Sequence, residues 1–267
     1  MEHTASKELP GAVRRRRMLS LIREREFMRV SDLGRIFGIS EVTVRSDLDH
    51  LASTSPIQRV HGGAIVLDGQ VKAERSFEHS EVTAVDEKAA IGVAAAALVS
   101  SGDSLIIDVG STTTAVARAV ALRKDLEDIV IFTNGLTIAM ELESEIPRFT
   151  VILTGGTLRR QQHSLVDPFA KVVLEQVHVT AAFIGCNGVH LDEGITNINL
   201  PEAAVKRSMV KAAERVVVVA EGSKLGRISM VRCAELSDVD VLITGRSAPS
   251  GLVDPIRDLG VTTTVAG

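Results

Sequence analysis

The sequence predicts an α/β protein in two parts: a winged helix-turn-helix at residues 1–65 and a parallel-sheet α/β domain at 86–267, joined by a linker at 66–85. Three observations carry this. Residues 30–64 lay a short helix, a turn, a second helix and a basic Gly-Gly hairpin end to end. Beyond residue 85, apolar β-rich runs alternate with helical stretches, as in a sheet covered by helices on both faces. Polar, glycine-rich loops recur where those apolar runs end.

Composition narrows the function classes. The chain has 267 residues, 45% apolar and 24% charged, an ordinary globular balance. With 3% aromatics and neither Trp nor Tyr, surfaces built on base or sugar stacking are disfavoured. No apolar run approaches the length of a membrane span, and no secretory leader is evident, so a cytoplasmic protein is expected. Cys186 and Cys233 stand far apart without a CxxC or Cys/His cluster, so no metal site and no cofactor is expected. The net charge of −4 is unevenly spread. Residues 1–65 hold eleven Lys/Arg against eight Asp/Glu, +3, so the rest carries −7. Local charge decides phosphate affinity, so the asymmetry supports a DNA-binding first part.

Helix 14–25 places Met18, Leu21 and Ile22 on one face and opens on Arg14, Arg15, Arg16 and Arg17. Four cations oppose the helix dipole there; they serve either a nearby phosphate or a merely solvated end. Ser31 is the expected cap of the next short helix, with Leu33, Ile36 and Phe37 apolar, and Gly38 ends it. Ser40 caps a helix from Glu41 to about Ala52, with Val44, Leu48 and Leu51 facing inward. Val42, Arg45, Ser46 and Asp49 project from the opposite face with Thr43 on its flank, side chains suited to base edges and phosphates. The expected wing is 56–64: Ile57 and Val60 anchor it, Arg59 and His61 supply polar contacts, and Gly62-Gly63 permits the reversal.

The segment ISEVTVRSDLDHL followed by QRVHGGA resembles the DeoR family of bacterial transcriptional regulators. Ser40, Thr43, Arg45, Asp47 and Leu48 match its recognition helix, and Arg59, His61, Gly62, Gly63 and Ala64 its wing. Ser46 stands where the family has a second Arg, and Ser55-Pro56-Ile57 replaces its Gly-Leu. The resemblance implies that double-stranded operator DNA is the partner; together with the outward face and basic start read above, the expected contacts are Arg14, Arg15, Ser40, Val42, Thr43, Arg45, Ser46, Asp49, Arg59, His61 and Gly62.

In the second part a helix is expected at 86–100 and strands at 104–109, 129–132, 150–153, 181–184, 216–220, 241–244 and 262–265. Helices are expected at 114–122, 136–142, 167–177 and 200–214. The loops after the strands place Gly110, Ser111, Thr112 and Thr113 at a helix start, where amides and hydroxyls suit a phosphate. Arg159 or Lys224 can add a cation, and Asp108 and Asn134 can bond sugar hydroxyls. No P-loop or dinucleotide fingerprint occurs, and each loop alone is weak evidence, since βα turns need glycine anyway. Cys186 has no linked base and reads as a packed residue, and His163, His178 and His190 lack metal spacing. Glu202 and Lys206 read as a local i,i+4 pair.

This part also resembles the DeoR-family sensor domain, whose fold is related to ribose-5-phosphate isomerase and CoA transferases. Glu87-Lys88, Asp108 with Gly110-Ser111-Thr112-Thr113, Thr133-Asn134, Gly155-Gly156, Glu202, Lys206-Arg207 and Ser223-Lys224 follow its pattern. Asp167, Glu221-Gly222 and Gly245 depart from it. The resemblance implies a phosphorylated sugar effector held by Asp108, Gly110, Ser111, Thr112, Thr113, Asn134, Arg159 and Lys224. A repressor of a sugar or polyol operon is then expected, and a homo-oligomer, dimer or tetramer, follows from how helix-turn-helix proteins read symmetric half-sites. The alternative is a sugar-phosphate isomerase or CoA-transferase-like enzyme with an accessory DNA-binding domain, since fold alone is weak evidence for chemistry.

Overall fold

The computed structural model describes residues 10–25, 27–55, 57–60, 62–66 and 74–267. The chain divides into two compact units, Met1–Ala73 and Glu74–Gly267.

The first unit contains α1 (Gly11–Arg25), β1 (Phe27–Arg29), α2 (Val30–Phe37), α3 (Glu41–Thr54), β2 (Ile57–Val60) and β3 (Gly63–Val66). The three strands form an antiparallel sheet in the order β1-β3-β2, so the wing has a third strand that the sequence did not announce. Met18, Ile22, Leu33, Val44, Leu48, Leu51 and Ile57 close one small core, as their helical spacing requires. Gly38 ends α2 in the left-handed region (φ 64°), and Ser40 caps α3 by accepting from the Thr43 amide. Ser31 does not cap α2. The chain enters that helix directly from β1, and the Val30 amide donates to Gly62 O at 2.9 Å, so the wing satisfies the helix start. Ile36, expected among the apolar contacts, is 49% exposed.

In the second unit, α4 (Phe77–Glu81) and α5 (Val85–Ala96) precede β4 (Ser104–Ile107), α6 (Ser111–Leu122), β5 (Ile129–Thr133), α7 (Leu136–Leu142) and β6 (Phe149–Leu153). A hairpin of β7 (Thr157–Arg159) and β8 (Ser164–Val166) leads to α8 (Phe169–Leu174) and β9 (Val179–Gly185). Next come β10 (Gly188–His190), β11 (Gly194–Asn197), α9 (Leu200–Lys211), β12 (Ala213–Ala220) and β13 (Val231–Ala234). The unit closes with β14 (Val241–Gly245), α10 (Val253–Asp258) and β15 (Thr262–Ala266).

Seven of these strands form a parallel sheet in the order β15-β14-β12-β9-β4-β5-β6. Each is one of the seven expected from the apolar runs. Their side chains divide by period two. Leu105, Ile107, Phe183, Val217 and Val219 join the core under α5, α6 and α7. Ile106, Ala182, Ile184, Val216 and Val218 join the opposite core with α8, α9 and α10. The chain begins in the middle at β4, winds outward through β5 and β6, then returns to β9 on the other side of β4. The carboxyl ends of β4 and β9 therefore flank a topological switch point, where an open α/β sheet forms a ligand crevice.

Three parts of the second unit differ from the reading. Of the expected linker, 67–73 lies outside the described residues, while 77–81 is helical and belongs to the second unit. Ser76 caps this α4, which packs on α6. The expected helix 167–177 shortens to α8 because β8 runs to Val166 and Pro168 follows at once. The β7–β8 hairpin and the β10-β11-β13 sheet were not expected, their strands being three or four residues long.

Gly92 marks where α5 meets α6: a Cβ there would overlap the backbone of Ala115. An alanine gains about 1 kcal/mol of intrinsic helix propensity over glycine, but forcing the helices apart costs roughly 1–3 kcal/mol. Gly92→Ala is therefore expected to lower the urea midpoint of the full chain rather than raise it.

Candidate functional site

In the first unit, α3 turns Val42, 73% exposed, outward together with Arg45, Ser46 and Asp49, with Thr43 half-buried beside them. The cations of this surface are internally paired. Arg45 Nη2 bonds Glu41 Oε2 at 2.7 Å along the helix, and Arg59 Nε lies 3.2 Å from Asp49 Oδ1, which links the wing to α3. One Arg59 Nη is buried without a partner. Arg14 Nε and Arg15 Nη1 donate to the two oxygens of Asp47, at 2.6 and 3.2 Å. Asp47 is 4% exposed, so these arginines fasten α1 to α3, and their cost at a helix start is offset by a buried carboxylate. Arg16 and Arg17 are the exposed members of that run. Gly62 (φ 80°) supports the wing reversal, and His61 lies outside the described residues.

In the second unit, the predicted residues gather at the carboxyl edge of the sheet. Asp108 follows β4 at the switch point and is fully buried. Its Oδ2 accepts from the Gly185 amide at 3.0 Å, across the junction with β9, and from Lys206 Nζ of α9. Oδ1 is buried with no partner. Gly110 (φ 141°) opens α6, its carbonyl accepting from the Thr113 and Thr114 hydroxyls at 2.9 and 2.8 Å. Ser111 and Thr112 stay half-exposed at the helix N-terminus, while Thr113 is buried.

Asn134 is a structural residue rather than a free amide. Its Oδ1 accepts from the Val109 amide at 3.0 Å and its Nδ2 donates to Leu165 O at 3.3 Å, which seats the β7–β8 hairpin beside the Asp108 loop. Arg159 is not a free cation either: it bonds both Glu74 and Glu202. Lys224, 3.3 Å from Glu221, is the most accessible ammonium among these edge groups, its side chain 21% exposed.

The local reading of Glu202 and Lys206 is replaced by two long-range roles. Lys206 reaches Asp108, while Glu202 bonds Arg159, Ser164 Oγ at 2.6 Å and Asn197 Nδ2 at 3.4 Å. Lys88 and Glu87 were also unassigned. Lys88 Nζ donates to Thr83 O at 2.8 Å and to Ser80 O, and lies 3.7 Å from Glu221. Glu87 Oε1 accepts from the Gly222 and Ser247 amides, each at 3.1 Å, and from Ser247 Oγ at 2.7 Å. Its carboxylate fills the space a Cβ on Gly245 would need, which accounts for glycine there. The matching Glu87-Lys88 pair was the available signal for this cluster.

The electrostatics follow from burial. Burial pushes the Asp108 carboxyl up, opposed by Lys206. It pulls Lys206 down, but Asp108 and Glu202 outweigh it and hold Lys206 above the usual lysine value, as a charged partner. Glu221 is buried too, yet Lys224 and Lys88 hold it below the usual carboxylate range, so it stays ionised between two cations. Burial pushes the Cys186 thiol up to about 12 and Cys233 up to about 11. Among the described residues no group of His, Cys, Asp and Glu can hold a metal ion, and no helix is long and apolar enough to cross a membrane.

A winged helix-turn-helix followed by an α/β unit with buried charged groups at the carboxyl edge of its parallel sheet fits a DNA-binding regulator with a sensor domain. The model of the DeoR-like helix-turn-helix domain matches residues 14–70, and that of the DeoR C terminal sensor domain matches 83–246. The chain belongs to the DeoR family, whose named members are transcriptional regulators rather than enzymes. It is 37% identical over 251 residues to the HTH-type transcriptional regulator GlpR of Haloferax volcanii, covering 94% of this chain and 96% of that protein. It is 28% identical over 241 residues to the glycerol-3-phosphate regulon repressor of Escherichia coli K12, covering 90% and 93%. Ribose 5-phosphate isomerase A of Methanocaldococcus jannaschii is similar at a TM-score of 0.40 and 17% identity, over 53% of this chain and 54% of that one.

Two outcomes are expected. Lys206→Met leaves Asp108 buried and unpaired, at a cost of roughly 3–5 kcal/mol. With the Asp108 carboxyl raised further, the folded state binds more protons than the unfolded one, so the deficit should shrink as pH falls through its folded pKa. Denaturant titrations at pH 5 and pH 8 check the sign. The raised thiols predict that at pH 8 both cysteines of the native chain react with a disulfide reagent far more slowly than in urea.

Proposed function

We propose that this regulator is a repressor that reads its operator with the outward face of α3 and the wing, and that a phosphorylated sugar or polyol bound at the carboxyl edge of the sheet changes its hold on DNA. The carrying observation is the pairing of an exposed reading surface, Val42, Arg45, Ser46 and Asp49 beside Arg59, with a sheet whose switch point ends on Asp108 and Gly110. Thr43 and Ser40 complete the first turn of α3, and Gly62 brings the wing backbone close to phosphate. Exposed Arg16 and Arg17 are better placed for phosphate than Arg14 and Arg15, which serve Asp47.

For the effector, the half-exposed Ser111 and Thr112 at the start of α6 suit a phosphate, with Lys224 adding a cation. The unpartnered Asp108 oxygen is an acceptor for a hydroxyl. The relative named for the glycerol-3-phosphate regulon supports a phosphorylated ligand. Helix-turn-helix readers bind symmetric half-sites, so a homo-oligomer acting on DNA in the cytoplasm completes the reading. Its mechanism is linkage: the ligand prefers one conformation and shifts the DNA-competent population.

Anisotropy with promoter DNA from the neighbouring operon, at stated salt, tests the DNA side. Arg59→Ala should weaken binding across sequences and lower the salt slope by about 1, while Arg45→Ala should cost roughly 1–3 kcal/mol and relax specificity at one base pair. Affinity unchanged in both variants would show the reading surface to be misplaced. Calorimetry with sugar and polyol phosphates tests the sensor: Lys224→Ala and Ser111→Ala should each lose heat of binding, and full binding by both would remove the assigned seat.

A further inference from the structure

One guanidinium serves two carboxylates at the edge of the crevice. Arg159 Nη1 lies 3.2 Å from Glu74 Oε1 and also bonds Glu202 Oε1, while Nη2 closes on Glu74 Oε2. The two acids are held very differently. Glu202 is buried in α9 and fixed by Ser164 and Asn197. Glu74 belongs to no helix or strand, and both its carboxylate oxygens bond Arg159. The chain around it is tied down by exposed bonds: Gln161 Nε2 donates to Glu74 O at 2.7 Å, and Gln162 Nε2 to Arg75 O.

Glu74 meets Arg159 fork to fork, the geometry in which a guanidinium also takes a phosphate. The exchange is like for like: Glu202 is held in place by its other partners, so an oxyanion on Arg159 would take the position of the Glu74 carboxylate alone.

We propose that Glu74 is an internal stand-in for the anionic group of the effector. It fills the open side of Arg159 in the free chain, and a phosphate displaces it. This rests on the regulator reading above, in which Ser111, Thr112 and Lys224 receive the phosphate, and adds Arg159 as a further cation for that anion and Glu74 as the contact it competes with. Glu74 is the first residue of the second unit, so a phosphate that takes Arg159 frees the chain at the very start of that unit. The exchange trades one charge-assisted pair for another, and a competitor tethered in the same chain lowers apparent affinity by the fraction of molecules in which it occupies the site.

The test is calorimetric titration of the full chain with inorganic phosphate at constant ionic strength. Glu74→Gln and Glu74→Ala, each checked for the wild-type melting transition, should bind phosphate about tenfold more tightly than wild type. Adding Arg159→Met to either should abolish the gain. Affinity unchanged or weakened in both variants, a gain that survives Arg159→Met, or no measurable binding in any form overturns the stand-in. Operator binding by the same wild-type sample separates the two readings. Its absence sinks the regulator mechanism, whereas intact operator binding with unimproved phosphate affinity sinks only the role of Glu74.

Discussion

The buried pair of Asp108 and Lys206 is the contact on which the carboxyl edge depends. An ionised carboxylate at full burial is tolerable only with a charged donor and further hydrogen bonds, and Asp108 has Lys206 and the Gly185 amide on one oxygen. Those partners come from α9 and from the end of β9, while Asp108 itself ends β4. Satisfying one charge therefore fixes three elements around the switch point. Lys206 in turn positions α9 so that Glu202, one turn earlier, faces the β7–β8 hairpin, where it takes Arg159 and Ser164. A chain of alternating charge runs from the fully buried Asp108 through Lys206, Glu202 and Arg159 to residue 74.

Both units solve the same problem in the same way. Most arginines that sequence patterning offers to phosphate are already matched by carboxylates: Arg14 and Arg15 by Asp47, Arg59 by Asp49, Arg45 by Glu41, and Arg159 by two glutamates. The depth of each pair decides what it can do. Asp47 is buried, so its pairs are structural, and withdrawing either arginine exposes a costly charge. The Arg45–Glu41 pair is half exposed and contributes less than about 1 kcal/mol, so it yields readily to a stronger partner such as a base edge or a phosphate. Partial pairing keeps a basic surface ordered and leaves the exposed pairs exchangeable.

How much was legible in the sequence follows from the same physics. The central parallel strands could be read because strands buried on both faces are apolar nearly throughout, a signal carried by each segment alone, whereas the edge strands β6 and β15 carry it only in part. The β7–β8 hairpin and α4 could not, because their stability comes from elsewhere: Asn134 and Glu202 hold the hairpin, and the Phe77 amide bonds Gln161 O while Lys88 takes carbonyls at 80 and 83. In the candidate site, Asp108 and Gly110 declared themselves through a loop pattern. Lys206 did not, because its partner is 98 residues away while Glu202, four residues before it, offers a convincing local match. Spacing can suggest a helix pair, but it cannot show that both members are needed across the fold.

The placement of α4 gives the two charge clusters a common consequence. Lys88, beside Glu221, anchors the carbonyls of residues 80 and 83, so the loop after β12 is tied to the end of α4. Arg159, Gln161 and Gln162 anchor residues 74 and 75, so the β7–β8 hairpin is tied to the approach of α4. The ten residues that begin the second unit are thus held at both ends by groups belonging to one edge of the sheet. These restraints are side-chain contacts, separate from the backbone ladder of the sheet. The core beneath it is close-packed and resists small displacements, whereas exposed hydrogen bonds and ion pairs break at little cost. On the function proposed above, the cheapest outlet for a charge exchanged at this edge is residues 74–83, the start of the second unit.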